Sequence, residues 1–308
     1  MPVEGTEGGQ RPVAKIKEVQ MYFSSDSPDT PAVATALGNI VRQKPELQWL
    51  ALVDGAFDYG LSDLPLPNER YTLYDYGNMS DLLEASPFIL VLTVEDEMRL
   101  QSELLTLLRH RKERPMLSFI GTMATAHSIN ENFRFFANAL TDNQQEFLLR
   151  FADTRVLPGL PSALRPDYWN AMTRLMSEWI YIDRTGELQR LPVLAAALPL
   201  VGTFQLSSGE FTALLEQSEP DAIIDVIADS NPEALPETAH AGLYQQVVQS
   251  CAFAKEHQVD AFPDLVALAY VGILTDGRGL KKQELSELLK RKGWKPGNLI
   301  DELVDYVD

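Results

Sequence analysis

An α/β class, with an N-terminal mixed sheet flanked by helices and a smaller all-helical C-terminal lobe, follows from three observations on the 308-residue chain. Short apolar runs closed by turn residues alternate with helix-period segments as far as residue 193. Such alternation marks a layered α/β domain in which at least part of the sheet is parallel. From residue 204 onward only helical periodicity is left. The expected organisation is a flexible tail (1–13), an α/β lobe (14–193), a connector (194–203) and a helical lobe (204–308).

Taken in order, "MPVEGTEGGQRPV" (1–13) is polar and glycine-rich, without the apolar stretch of a secretory signal. "AKIKEVQMYF" (14–23) fits a first strand or a short helix. In "SPDTPAVATALGNIVRQ" (27–43), Pro31 stands just inside a Thr30 cap, which starts a helix. "LQWLALVDGAF" (47–57) is a buried strand running into an Asp-Gly turn. "YTLYDYG" (71–77) is short and aromatic, and "DLLEASPFILVLT" (81–93) gives a helical turn, a Pro87 boundary and a strand. Leu100, Leu104, Leu107 and Leu108 recur at helical spacing behind the acidic run 95–97, which suits the positive end of a helix dipole.

"PMLSFIGT" (115–122) reads as a strand, 125–140 as a helix, and "FLLRFAD" (147–153) as a further strand. Trp169, Met172, Met176 and Trp179, at intervals of 3, 4 and 3, form one apolar helical stripe. Thr185-Gly186 lies between two extended runs and signals a hairpin. Ser207 and Glu210 form a capping box ahead of Phe211, Leu214 and Leu215. Leu243, Val247, Cys251 and Ala254 make another helical face, and Leu299, Ile300, Leu303, Val304 and Val307 the last.

Charge and composition exclude several classes. Net charge is −18, of which residues 204–308, with 8 basic and 18 acidic side chains, supply −10. A nucleic-acid surface needs a basic footprint that this chain lacks. No apolar run reaches the length of a membrane span, so no membrane insertion is expected. The single cysteine, Cys251, rules out an internal disulfide framework and suits a reducing, cytoplasmic setting. His110, His127, His240 and His257 are scattered, without HExxH or HxH spacing, so no metal is expected. Phosphate loops and nucleophile elbows are missing as well, so no cofactor is expected.

Two aspartates remain. Asp54 and Asp153 end apolar strand candidates, and sites gather at the carboxyl ends of parallel strands. The structural reading has Asp153 pairing with Arg150 or Arg155 and Asp54 holding the turn before Gly55; nothing supplies a base, metal or nucleophile to complete a mechanism. A cation at Arg150, among Phe147, Leu148, Leu149 and Phe151, requires a carboxylate or several acceptors in any case.

Order and spacing then add a likeness. Val53-Asp54-Gly55, Leu73-Tyr74, the run Ser86-Pro87-Phe88-Ile89-Leu90-Val91 and the stretch Arg150-Phe151-Ala152-Asp153-Thr154-Arg155-Val156-Leu157 resemble the Tap/Tec-type adaptor chaperones of bacterial type VI secretion systems over roughly residues 47–180. Ala152, where many relatives carry an aromatic, and Thr154, where proline is common, depart from the pattern. The resemblance implies a cytoplasmic, non-enzymatic protein. Such an adaptor binds a cognate toxic effector, often by its N-terminal region, and loads it onto the VgrG spike. On that footing Trp169, Met172, Met176 and Trp179 are candidates to line an effector groove between the lobes; the bland reading makes them the core face of a helix covering the sheet. A metal-dependent hydrolase using Asp54 and Asp153, and a cytoplasmic immunity or scaffold protein, are the alternatives.

Overall fold

A computed structural model describes residues 22–58, 64–194, 200 and 202–306. The tail (1–13), most of the first expected element (14–23), part of the connector and Val307 lie outside these residues.

The α/β lobe begins with helix α1 (Thr30–Gln43), whose cap is Asp29 rather than Thr30, because the Asp29 carboxylate accepts from Ala32 N. Strand β1 (Gln48–Val53) and a 3-10 turn (Gly55–Asp58) follow, then β2 (Arg70–Thr72), a 3-10 stretch (Gly77–Ala85) and β3 (Phe88–Val91). Next come α2 (Glu97–Arg111), β4 (Leu117–Thr122) and α3 (Ala126–Ala137). The chain continues through β5 (Asn138–Thr141), β6 (Glu146–Leu148), α4 (Leu160–Ala163) and α5 (Pro166–Thr173). A hairpin of β7 (Met176–Ile182) and β8 (Leu188–Arg190) closes the lobe, and its turn uses Gly186 at φ +83°.

Six strands form the main sheet in the order β2-β3-β1-β4-β7-β8, antiparallel at every pairing. The parallel component expected of the sheet falls elsewhere, in a three-stranded sheet ordered β6-β5-β9, where β9 (Gln205–Leu206) pairs parallel to β5. Alternation along β1 explains why its sequence is apolar throughout. Leu50 and Leu52 enter a core with Phe133, Trp169 and Trp179, whereas Trp49, Ala51 and Val53 enter another with Leu37 of α1 and Leu104 of α2. A strand covered on both faces reads as a continuous hydrophobic run.

The helical lobe consists of α6 (Ser208–Ser230), α7 (His240–Glu256), α8 (Phe262–Leu274) and α9 (Gln283–Arg291). It ends in 3-10 turns at Leu299–Glu302 and Val304–Tyr306, so the last expected helical face is not a continuous α-helix. Ser207 and Glu210 make the anticipated capping box, each side chain bonded to the other's backbone N–H. α6 belongs to both lobes: Leu214 packs in the sheet's core, and Ile223, Ile224 and Ile227 pack in the helical core. Within that second core Asp264 is buried and accepts from Trp294 Nε1, Gly297 N and Leu299 N, each at 2.9 Å. No helix among the described residues is long and apolar enough to cross a membrane.

Candidate functional site

Asp54 directly follows β1. Its carboxylate accepts from Ala56 N at 3.1 Å and so opens the 3-10 turn. Gly55 is required there, because a Cβ would stand 2.3 Å from the Ser86 carbonyl oxygen. Arg150 reaches across 96 residues of sequence to donate to Asp54 Oδ2 at 2.8 Å, and the same nitrogen lies 3.5 Å from Asp153 Oδ2. Arg155 grips Asp153 from the other side, with Nε 3.1 Å from Oδ1, Nη2 2.8 Å from Oδ2, and its backbone N–H also donating to Oδ1. Both carboxylates are buried, and both guanidinium groups lie over the Phe57 ring, 5.2 and 5.5 Å from its centroid.

Two arginines and two aspartates thus neutralise one another, which a buried ionic group requires. Burial pushes the Asp54 carboxyl above the ordinary carboxylate range; Arg150 pulls it back and Asp153 pushes it further up. Burial would lower the arginines, but Asp54 and Asp153 outweigh it at Arg150, and Asp153, with Asp221 and Asp225 adding to it, does so at Arg155, so both rise.

Asp153 is not at a strand end. β6 stops at Leu148, and Asp153 sits in the turn that follows, where its carbonyl accepts from Val156 N and Leu157 N. Nor is β1 parallel to either neighbour. The expected pair of parallel strand ends does not exist, and the two carboxylates meet instead through Arg150. Ala152 is fully buried in the sheet's core, next to the Phe151 ring that stacks on Phe133 at 4.6 Å.

The apolar stripe also needs correction. Trp169 and Met172 lie on α5, but Met176 and Trp179 lie on β7, so the four do not share a helix. All are buried in one core, with the two indoles stacked at 5.8 Å and 4°. Trp169 Nε1 donates to Pro192 O and Trp179 Nε1 to Ser118 Oγ, which satisfies both ring donors. They present no surface to a groove.

A groove between the lobes does exist, with other walls. A cleft of about 340 Å³ lies between the turn after β6 and helix α6. Phe147, Leu148 and Val156 line one wall and Leu214, Leu215 and Ala222 the other, with Arg150, Asp153 and Arg155 also lining it and Asp221 and Asp225 on its α6 side. A second ionic link braces it. Arg184, in the β7–β8 turn, donates to Asp221 at 2.6 Å and to Ser24 Oγ, and its guanidinium lies 3.6 Å from the Tyr244 ring centroid. The α6 wall was missed in the sequence, although Leu215, Ala222 and Val226 spaced 7 and 4 apart, and aspartates at 221, 225 and 229, were readable signals.

Cys251 is half-buried, and burial together with Glu219 pushes its thiol up to about 12. Among the described residues no group of three or more histidine, cysteine, aspartate or glutamate side chains could hold a metal ion.

Residues 49–171 match a family model described as a domain of unknown function (DUF4123). That segment is less than half of the chain. It holds Asp54, Gly55, Arg150, Asp153, Arg155 and Trp169, and so supplies one wall of the cleft, while α6 lies outside it. Comparisons with curated proteins and with solved structures gave no match.

Proposed function

We propose that this chain is a cytoplasmic, non-enzymatic adaptor of a type VI secretion system, which binds the N-terminal region of a cognate toxic effector and promotes its loading onto the VgrG spike. One observation carries the reading. The charged residues of the Arg-Phe-Ala-Asp-Thr-Arg-Val-Leu stretch, inside the matched segment, are spent on one another and line an apolar cleft. Reagents need free lone pairs or labile protons aimed at open space. Here each carboxylate is held by a guanidinium group, as suits the wall of a binding surface.

The hydrolase alternative has less support. Between Asp54 and Asp153, where a shared cation would sit, stands the Arg150 guanidinium.

Deleting the gene from its host tests the adaptor reading. The effector encoded beside it is expected to fall in abundance and to stop being exported, with spike assembly intact, and to co-purify with the tagged chain when both are expressed. Unchanged export in the deletion strain would refute it. An immunity protein would instead rescue cells from the toxin without affecting export.

A further inference from the structure

Helix α6 carries six carboxylates, Glu210, Glu216, Glu219, Asp221, Asp225 and Asp229, and no lysine or arginine. Four are engaged: Glu210 in the capping box, Glu216 with Lys255, Glu219 with the Cys251 thiol, and Asp221 with Arg184. Asp225 and Asp229 are exposed and make no hydrogen bond or ion pair among the described residues, although the nearby Arg155 guanidinium attracts Asp225. They sit beside apolar side chains that solvent also reaches. Leu215 is 49% and Val226 41% exposed, and Ala222, exposed between them, lines the cleft opposite Phe147, Leu148 and Val156.

The α6 side of this apolar trough carries carboxylates and no cation, while Arg150 and Arg155 on the opposite wall are paired with Asp54 and Asp153. We infer that the cleft and the adjoining face of α6 dock a short basic amphipathic segment of a partner polypeptide, with its apolar side chains in the trough and its lysines or arginines on Asp225 and Asp229. From Leu215 to Val226 the helix rises about 16 Å, which three turns of a partner helix would cover. Exposed carboxylates beside an apolar contact select cations and repel anions, Asp229 most of all, because Arg155 partly offsets Asp225. A second copy of this chain would bring its own net charge of −18 toward the same rim, which argues against self-association there. The inference rests on the adaptor reading and names the chemistry of what that adaptor grips.

The test uses the full chain and a fluorescein-labelled peptide of about 16 residues, with leucines at helical i, i+3 and i+4 spacing and lysines elsewhere, beside a twin carrying glutamate for lysine. Anisotropy titration is expected to show the lysine peptide binding at least about tenfold tighter than its twin, with the gap narrowing in about 0.5 M salt. The double substitution Asp225→Lys and Asp229→Lys should invert the preference, and Ala222→Trp, which fills the trough, should weaken binding about tenfold. Ala222→Trp alters an exposed position, so its melting temperature should match that of the unaltered chain, whereas the double variant loses the attraction of Asp225 for Arg155 and its fold is verified by circular dichroism before titration. Equal binding of the two peptides, or an unchanged preference in the double variant, would overturn the inference. So would tighter peptide binding after removal of residues 1–21, which would give the trough to the chain's own N-terminus, or a dimer that Ala222→Trp dissolves. Effector co-purification separates the two readings: if it survives both variants, the cleft inference falls and the adaptor stands, and if the unaltered chain never retains its effector, the adaptor reading falls.

Discussion

Asp54 in the α/β lobe and Asp264 in the helical lobe are equally buried, each 2% exposed, yet they are satisfied in different ways. Asp264 takes three neutral N–H donors, all from residues 294–299 of its own lobe, and makes no ion pair among the described residues. Asp54 takes one backbone donor and a guanidinium from 96 residues away, and that guanidinium lines the cleft. Neutral donors fasten one loop to one helix with no counter-charge for salt to screen. An ion pair spanning distant segments ties the β1 turn to the turn after β6, within reach of salt and of a docked partner.

Substitutions can break this contrast. The largest effect is expected from Asp264→Ala, which strands three N–H donors at about 1–3 kcal/mol apiece; a loss of roughly 4 kcal/mol in urea unfolding would fit. Arg150→Met comes next. It leaves a buried carboxylate uncompensated, a defect worth about 3–5 kcal/mol in a fully buried pair and about 2 here, because the Arg150 side chain is 37% exposed. Asp54→Asn should cost less than Arg150→Met, since Asn keeps an acceptor for Ala56 N and Arg150 can still turn to Asp153 or water.

pH sharpens the comparison further. Burial raises the folded Asp54 pKa above its unfolded value, so the folded state holds this proton more tightly. Its contribution to stability is complete below the unfolded value and is lost as pH rises through the folded one. The stability of the wild type relative to Asp54→Asn should therefore decline from about pH 4 toward neutrality. A flat difference would mean that Arg150 fully offsets burial. The smallest expected effect is that of salt: in about 1 M NaCl the gap between wild type and Arg150→Met should narrow by a few tenths of a kcal/mol, while that for Asp264→Ala stays constant.

Local signals in the sequence marked the elements well. The capping box at Ser207, the hairpin at Gly186 and the apolar period of α2 each depend on residues within a turn or two of one another. Two features misled. Spacing of 3, 4 and 3 across Trp169–Trp179 satisfies a helix, but the chain leaves α5 at Thr173 and re-enters as β7, and both pieces happen to face one core. The β-rich run Trp179-Ile180-Tyr181-Ile182 was the stronger cue there. Strand direction was also beyond reach, because alternating strands and helices do not record which way each crossover returns. At the site, the need of Arg150 for a carboxylate or several acceptors could be read from its apolar neighbours, whereas Asp54 as its partner could not, since no local pattern joins residues 96 apart.

The small sheet has a practical consequence for anyone expressing the α/β lobe by itself. β9, at residues 205–206, caps the open side of β5, and Phe204 and Leu206 plug the core beneath it. A chain cut after residue 193 would shed all three, leaving a strand with unpaired amides over an uncorked hydrophobic hole. Such a fragment should collect in inclusion bodies, and a cut placed beyond the first turns of α6 should recover soluble material.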